Sequence, residues 1–125
     1  MSENEIATII LDKAFEIHNY LGPGLLESVY EKALEYELVQ SKIFVQTQLP
    51  VPMNYKEIKF DVAYRLDLLV ENKVIVEIKA VETLAPLHFA QTLTYLKLSE
   101  KKLGLLINFN TKHLKDGIKR IANNL

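Results

Sequence analysis

The chain has no cysteine and no tryptophan among its 125 residues. Disulfides, thiolate zinc sites and iron–sulfur clusters are therefore excluded, which fits a reducing compartment. Glycine and proline are scarce, with four of each, so the breaks they make stand out. One is Leu21-Gly22-Pro23-Gly24 and another is Pro50 with Pro52. No apolar run approaches the roughly 20 residues needed to cross a bilayer. The opening MSENEIATII carries acids where a signal peptide would carry bases. The expectation is a cytoplasmic protein that makes no use of membrane. An excess of charge of one sign is also missing, with 15 basic against 16 acidic residues and a net charge of −1. Nonspecific nucleic-acid binding driven by a basic surface is thus not expected. An acidic site that needs a divalent cation to accept a phosphate is compatible with that balance.

What is present is ordinary for a globular chain: 49% hydrophobic and 25% charged residues. The length fits one compact domain over residues 1–125. Apolar residues at helical spacing predict a helix from Glu5 to Leu21 and a second from about Leu25 to Gln40. Val45 to Tyr55 alternates loosely and holds Pro50 and Pro52, which predicts an edge strand or an irregular one. Phe60–Val70 and Lys73–Val81 read as two strands joined by a link too short for a helix, hence an antiparallel hairpin. Pro86 suits the first turn of a helix running to about Leu98, and Leu103–Phe109 reads as a strand buried on both faces. Thr111 to Asn123, with Leu114, Ile118 and Ile121 inward, predicts a last helix. The predicted class is a mixed α/β (α+β) fold, with a mixed four-stranded sheet flanked by helices.

Two strands carry charges in apolar surroundings. One is Tyr64-Arg65-Leu66-Asp67-Leu68-Leu69-Val70, the other Val74-Ile75-Val76-Glu77-Ile78-Lys79-Ala80. Alternation puts Glu77 and Lys79 on one face of their strand. It likewise puts Arg65 and Asp67 on a face opposite to Leu66 and Leu68. Register decides whether the acids meet. A two-residue turn at Glu71-Asn72 would set Asp67 against Val76. A three-residue loop, Glu71 to Lys73, sets Asp67 against Glu77, and Asn72 suits its left-handed position. The second register, or a bulge with the same effect, is the expected one, and the register also places Arg65 against Lys79. Two carboxylates that close call for a cation, and hard oxygen donors favour Mg²⁺ or Mn²⁺. Such an ion would polarise a phosphate, with Lys79 beside it to stabilise developing negative charge. The plain alternative is a solvent-facing row of cross-strand ion pairs.

The flanks carry a further pattern. Gly24-Leu25-Leu26-Glu27-Ser28-Val29-Tyr30 reads as GxxExxY, after His18 and Leu21-Gly22-Pro23. The Asp67 and Glu77-Ile78-Lys79 strands follow, then Gln91-Thr92-Leu93-Thr94-Tyr95 and Leu105-Leu106-Ile107-Asn108-Phe109-Asn110. This ordered set, from about His18 to Ile121, closely resembles the GxxExxY proteins of the PD-(D/E)XK nuclease superfamily. The resemblance implies a restriction-endonuclease-like αβββαβ core and hydrolysis of DNA or RNA with Mg²⁺ or Mn²⁺. It implies Asp67, Glu77, Lys79 and Glu27 as catalytic residues, with Asp67, Glu77 and Glu27 on the metal. Gln91 and Tyr95, one turn apart on a helix, would contact nucleic acid or brace Lys79. Leu66 stands where the motif name has proline. Taken singly, His18 and Tyr30 read as packed residues and Asn108 as a strand cap. A catalytically silent nucleic-acid-binding module and a protein-interaction module on the same fold are the competing readings. A homodimer would be a simple way to reach both strands of a duplex.

Overall fold

The computed structural model describes residues 1–125. Helix α1 spans Glu3–Leu21 and is closed at its start by a reciprocal cap. Ser2 Oγ accepts from the Glu5 N–H at 3.2 Å, and the Glu5 carboxylate accepts from the Ser2 N–H at 2.9 Å. Helix α2 spans Glu27–Gln40. Between them Gly22 and Gly24 take φ of +71° and +98°, a backbone region that glycine enters without penalty. Three strands follow: β1 (Val45–Tyr55), β2 (Ile58–Val70) and β3 (Val74–Lys79). Helix α3 (Pro86–Ser99) then crosses over to β4 (Leu103–Asn108).

The sheet order is β1-β2-β3-β4-β5. The first three strands are antiparallel, β3 and β4 are parallel, and β4 and β5 are antiparallel. The α3 crossover is what permits the parallel pair. α1 and α2 cover one face, where Ile6, Ile10, Leu34 and Leu38 meet Leu68, Val70, Val76 and Leu105. α3 covers the other, where Leu96 meets Leu66, Leu69 and Ile75. β1 lies at the sheet edge as its prolines require, and its register with β2 slips around Pro52, between Val51 and Met53.

The end of the chain departs from the sequence expectation. Thr111–Asn123 is not a helix. Leu114–Gly117 forms one 3₁₀ turn, and Ile118–Ala122 is a fifth strand, β5, paired antiparallel to β4. The sheet therefore has five strands, not four. The helical spacing of Leu114, Ile118 and Ile121 is real, but β4 is buried throughout and would otherwise leave an unpaired edge. Gly117 makes the change of direction, because it lies against β4 where a Cβ would overlap the Asn108 carbonyl oxygen.

Gly117→Ala should therefore force backbone apart and cost about 1–3 kcal/mol. Thermal unfolding followed by circular dichroism would show a melting temperature several degrees lower. An unchanged midpoint would mean that the turn into β5 is not held tightly against β4.

Candidate active site

The site is set by where β2 and β3 part. Their ladder runs Val70↔Val74, Leu69↔Ile75 and Leu68↔Val76, then stops. The register is that of the three-residue loop. Glu71 and Asn72 both take left-handed φ, +53° and +56°. Glu71 is tied there by two bonds to Phe44, one to its carbonyl (2.8 Å) and one from its N–H (2.7 Å). One step beyond Leu68↔Val76 stand Asp67 and Glu77, whose carboxylates take over the bonding. The Asp67 N–H donates to Glu77 Oε2 at 2.9 Å, and the Ile78 N–H donates to Asp67 Oδ2 at 2.8 Å.

Side-chain alternation also breaks at Asp67. Leu66 and Leu68 would share a face in a regular strand, yet Leu68 lies in the α1/α2 core and Leu66 in the α3 core. The partner strand breaks at the same level, where Gln48 has φ of +48° between the pairs Thr47↔Leu68 and Leu49↔Leu66. The expectation that Leu66 and Leu68 face the same way is thus corrected. So is the pairing of Arg65 with Lys79, because β2 has left β3 by then and Arg65 pairs with Pro50 of β1. The repulsion between two cations that this pairing implied does not arise.

Burial and charge act on the acids together. Glu77 is only 4% exposed. Desolvation, followed by the Asp67 charge, pushes its carboxyl up to about 8, against the lowering effects of the Asp67 N–H and Lys79. Asp67 is raised by desolvation as well, with the Ile78 N–H, Lys79 and Gln48 opposing. Lys79 is the basic side chain whose charge acts on both acids. The donors are hard oxygens, and the mutual cost of ionising them is what a divalent cation would relieve. In donor chemistry the pair fits such an ion. No three His, Cys, Asp or Glu side chains stand close enough to share one. Mg²⁺ commonly takes one or two carboxylates and keeps several waters.

The surrounding elements hold this pair in place. Glu27, first residue of α2, accepts the Ala80 N–H at 3.1 Å just past β3. It is exposed and reaches the end of β3 rather than joining the two acids in a common shell. Tyr30 is fully buried, donates to the Gly22 carbonyl at 2.7 Å and accepts from the Leu25 N–H at 3.1 Å, so it pins the loop that sets Glu27. Its ring stacks on Phe109 at 4.5 Å. The Asn108 side chain bonds both the N–H and the carbonyl of Val81, extending β4's hold on the end of β3. His18 is a packed residue, bonded at 2.8 Å to the Thr111 carbonyl oxygen. On α3, Tyr95 stacks on Tyr64 at 4.4 Å, and burial, followed by the charges of Glu77 and Asp67, raises its hydroxyl pKa. Gln91 stands exposed one turn earlier.

A family model described as the PD-(D/E)XK nuclease superfamily matches residues 4–121. The chain belongs to that superfamily. Among solved structures it is similar to the crystal structure of SSO0001, with a TM-score of 0.58 and 22% identity. That likeness covers 79% of this chain and 51% of the other, so this superfamily member spans about half the length of that structure. At such identity the likeness speaks for the fold alone. No curated protein matches the sequence.

Two groups at the site escape a reading of the sequence. Glu31 accepts from Gln48 Nε2 at 2.7 Å, and the same nitrogen lies 3.4 Å from Asp67 Oδ1. Burial, then the charges of Asp67, Glu35 and Glu27, raise Glu31 above the usual carboxylate range, the Gln48 bond opposing. The signal for Glu31 was its i, i+4 spacing from Glu27 on one face of α2. Gln48 offered none, because its place follows from the β1–β2 register.

Because Glu77 keeps its proton more tightly folded than unfolded, the metal-free protein is favoured at low pH. That advantage is lost as pH rises from about 4.5 to about 8, where the unfolded chain ionises first. Urea denaturation should show stability falling by a few kcal/mol across that window. Glu77→Gln, which keeps an oxygen for the Asp67 N–H but no charge, should flatten the fall. A wild-type profile already flat there would mean that the pair ionises at little cost.

Proposed function

We propose that this chain is a divalent-metal-dependent nuclease, hydrolysing phosphodiester bonds of DNA or RNA, with Asp67 and Glu77 holding Mg²⁺ or Mn²⁺. The observation that carries the proposal is the meeting of buried Glu77 with half-buried Asp67, with Lys79 acting on both, at the point where β2 and β3 part. Superfamily membership supports a nuclease-like fold around them. When bound, the ion would supply charge to polarise a phosphate and lower the pKa of water.

The remaining tasks fall to the chain's own residues. Asp67 and Glu77 are each fixed through one oxygen by a strand N–H, so the acids stay in place without the ion. Lys79 is half-buried and follows Glu77 by one pleat. There it can stabilise negative charge building on a reacting phosphate. Glu27 acts as a positioning residue, since its bond to the Ala80 N–H fixes the backbone next to Lys79. The stacked Tyr64 and Tyr95, with exposed Gln91 one turn away, form the surface on which a nucleic-acid strand would lie. One observation favours a silent module instead: both acids already bridge the strands through main-chain bonds. A structural pair would use them that way too.

Cleavage and metal binding separate the two. Wild type with Mn²⁺ should cut at least one of single- or double-stranded DNA and RNA, and Lys79→Ala should lose cutting by about 10²-fold or more. Mn²⁺ affinity should survive that substitution, because the lysine is not a ligand. Asp67→Asn should weaken Mn²⁺ binding and raise the metal-free melting temperature by relieving carboxylate repulsion. Loss of metal-free stability in Asp67→Asn, without change in Mn²⁺ binding, would favour the structural pair and overturn the nuclease assignment.

A further inference from the structure

Beyond the site, β1 and β2 run on as a two-stranded arm. β2 has 13 residues, of which only Leu68, Leu69 and Val70 pair with β3. From Ile58 to Phe60 and again at Tyr64 and Arg65 it is paired with β1 on one side, with Asp61–Ala63 spanning the bulge opposite Pro52, and it is open on the other. Apolar residues alternate along this stretch as Ile58, Phe60, Val62 and Tyr64, with Lys59, Asp61 and Arg65 among the residues between. Tyr64 is covered by Tyr95 of α3. Outward of it the stripe is bare, with Val62 48%, Phe60 41% and Ile58 55% exposed. A lone two-stranded ribbon is marginal in water. A long open strand edge is a template for another strand.

We infer that this edge pairs with the same edge of a second copy, antiparallel about a two-fold axis through Phe60. Charge complementarity selects that register. Self-pairing keeps the apolar stripe on one face only when a single residue lies on the axis. With Lys59 or Asp61 there, like charges meet across the axis. With Val62 there, Lys59 faces Arg65 of the partner subunit. With Ala63 there, Asp61 would face Arg65 of the partner subunit, but Lys59 would have to enter the cleft where Asp67 is already bonded to Glu77. With Phe60 on the axis, Lys59 faces Asp61 of the partner subunit, and the pair occurs twice. Ile58 then faces Val62 of the partner subunit, and the two phenylalanines face each other. Opposite charges and apolar pairs across strands both stabilise a sheet. The same register brings the Lys56–Glu57 turn of each arm level with Tyr64 of the partner subunit. Tyr64 stands three residues along β2 from Asp67, so each tip would lie about 10 Å along the strand from the other copy's acidic pair.

The lack of native cysteine makes the test direct. Phe60→Cys places the only thiols of the dimer on the axis, with Cα atoms about 4.5–5.5 Å apart, within disulfide range. Mild oxidation should link Phe60→Cys into dimers, whereas Tyr20→Cys, exposed on α1, should stay largely unlinked. Sedimentation should find the wild type dimeric. Lys59→Glu and Asp61→Lys should each weaken the dimer by about tenfold or more, and the double substitution should restore it. All these positions are exposed, and circular dichroism checks that each variant is folded. A wild type that is monomeric at its highest soluble concentration would overturn the proposal. So would a dimer indifferent to both single reversals, or Phe60→Cys linking no faster than Tyr20→Cys.

Discussion

The exchange of main-chain bonds for carboxylate bonds at Asp67 and Glu77 is the constraint on which the rest of this structure turns. A regular ladder would have closed β2 onto β3 over their whole length and left no cleft between them. At Asp67 and Glu77 the ladder stops and alternation along β2 breaks. Each acid instead captures an N–H of the facing strand, which holds the strands together while turning them apart. The cost is that two negative groups share a poorly solvated place, and the raised pKa of Glu77 expresses that cost. The fold keeps a strained electrostatic arrangement there because everything around it is overdetermined.

That overdetermination comes from residues far apart in the chain. Tyr30, stacked on Phe109, closes the glycine loop before α2 and so aims Glu27 at Ala80. Asn108 does for the end of β3 what a longer β4 would have done, with side-chain amide bonds in place of main-chain ones. His18 ties α1 to the turn after β4. Apart from the exposed Glu27 bond these are part-buried, and breaking one of them would leave a poorly solvated polar group without a partner. No buried side-chain nitrogen or oxygen is left unpaired, which makes the support rigid rather than adaptable. The break in alternation at Asp67, matched by Gln48 on β1, does the same work on the other side, since it lets one strand feed both cores.

Much of this was legible beforehand because it is local. Periodicity marks α1 and α2, Pro86 marks the start of α3, a β-branched run marks β3, and a continuous apolar run marks β4. The prolines mark β1 as an edge. The three-residue loop follows from Asn72 and from the need of both strands to bury their apolar sides. The terminal segment misled because Leu114, Ile118 and Ile121 fit a helix well, and only the open edge of a fully buried β4 decides otherwise. Local preference is worth tenths of a kcal/mol per residue, which an unsatisfied strand edge outweighs.

The sequence by itself determined the element types as far as β4, the edge position of β1 and a hairpin in which one of two registers brings Asp67 to Glu77, because each depends on neighbours a few residues away. Tertiary structure alone decided the fifth strand, the switch of cores at Asp67 and the arrival of Glu31 and Gln48 beside it. Those features depend on which groups are left without a bonding partner or an apolar cover once the sheet has closed. That is a property of the assembled sheet, and no window of residues contains it.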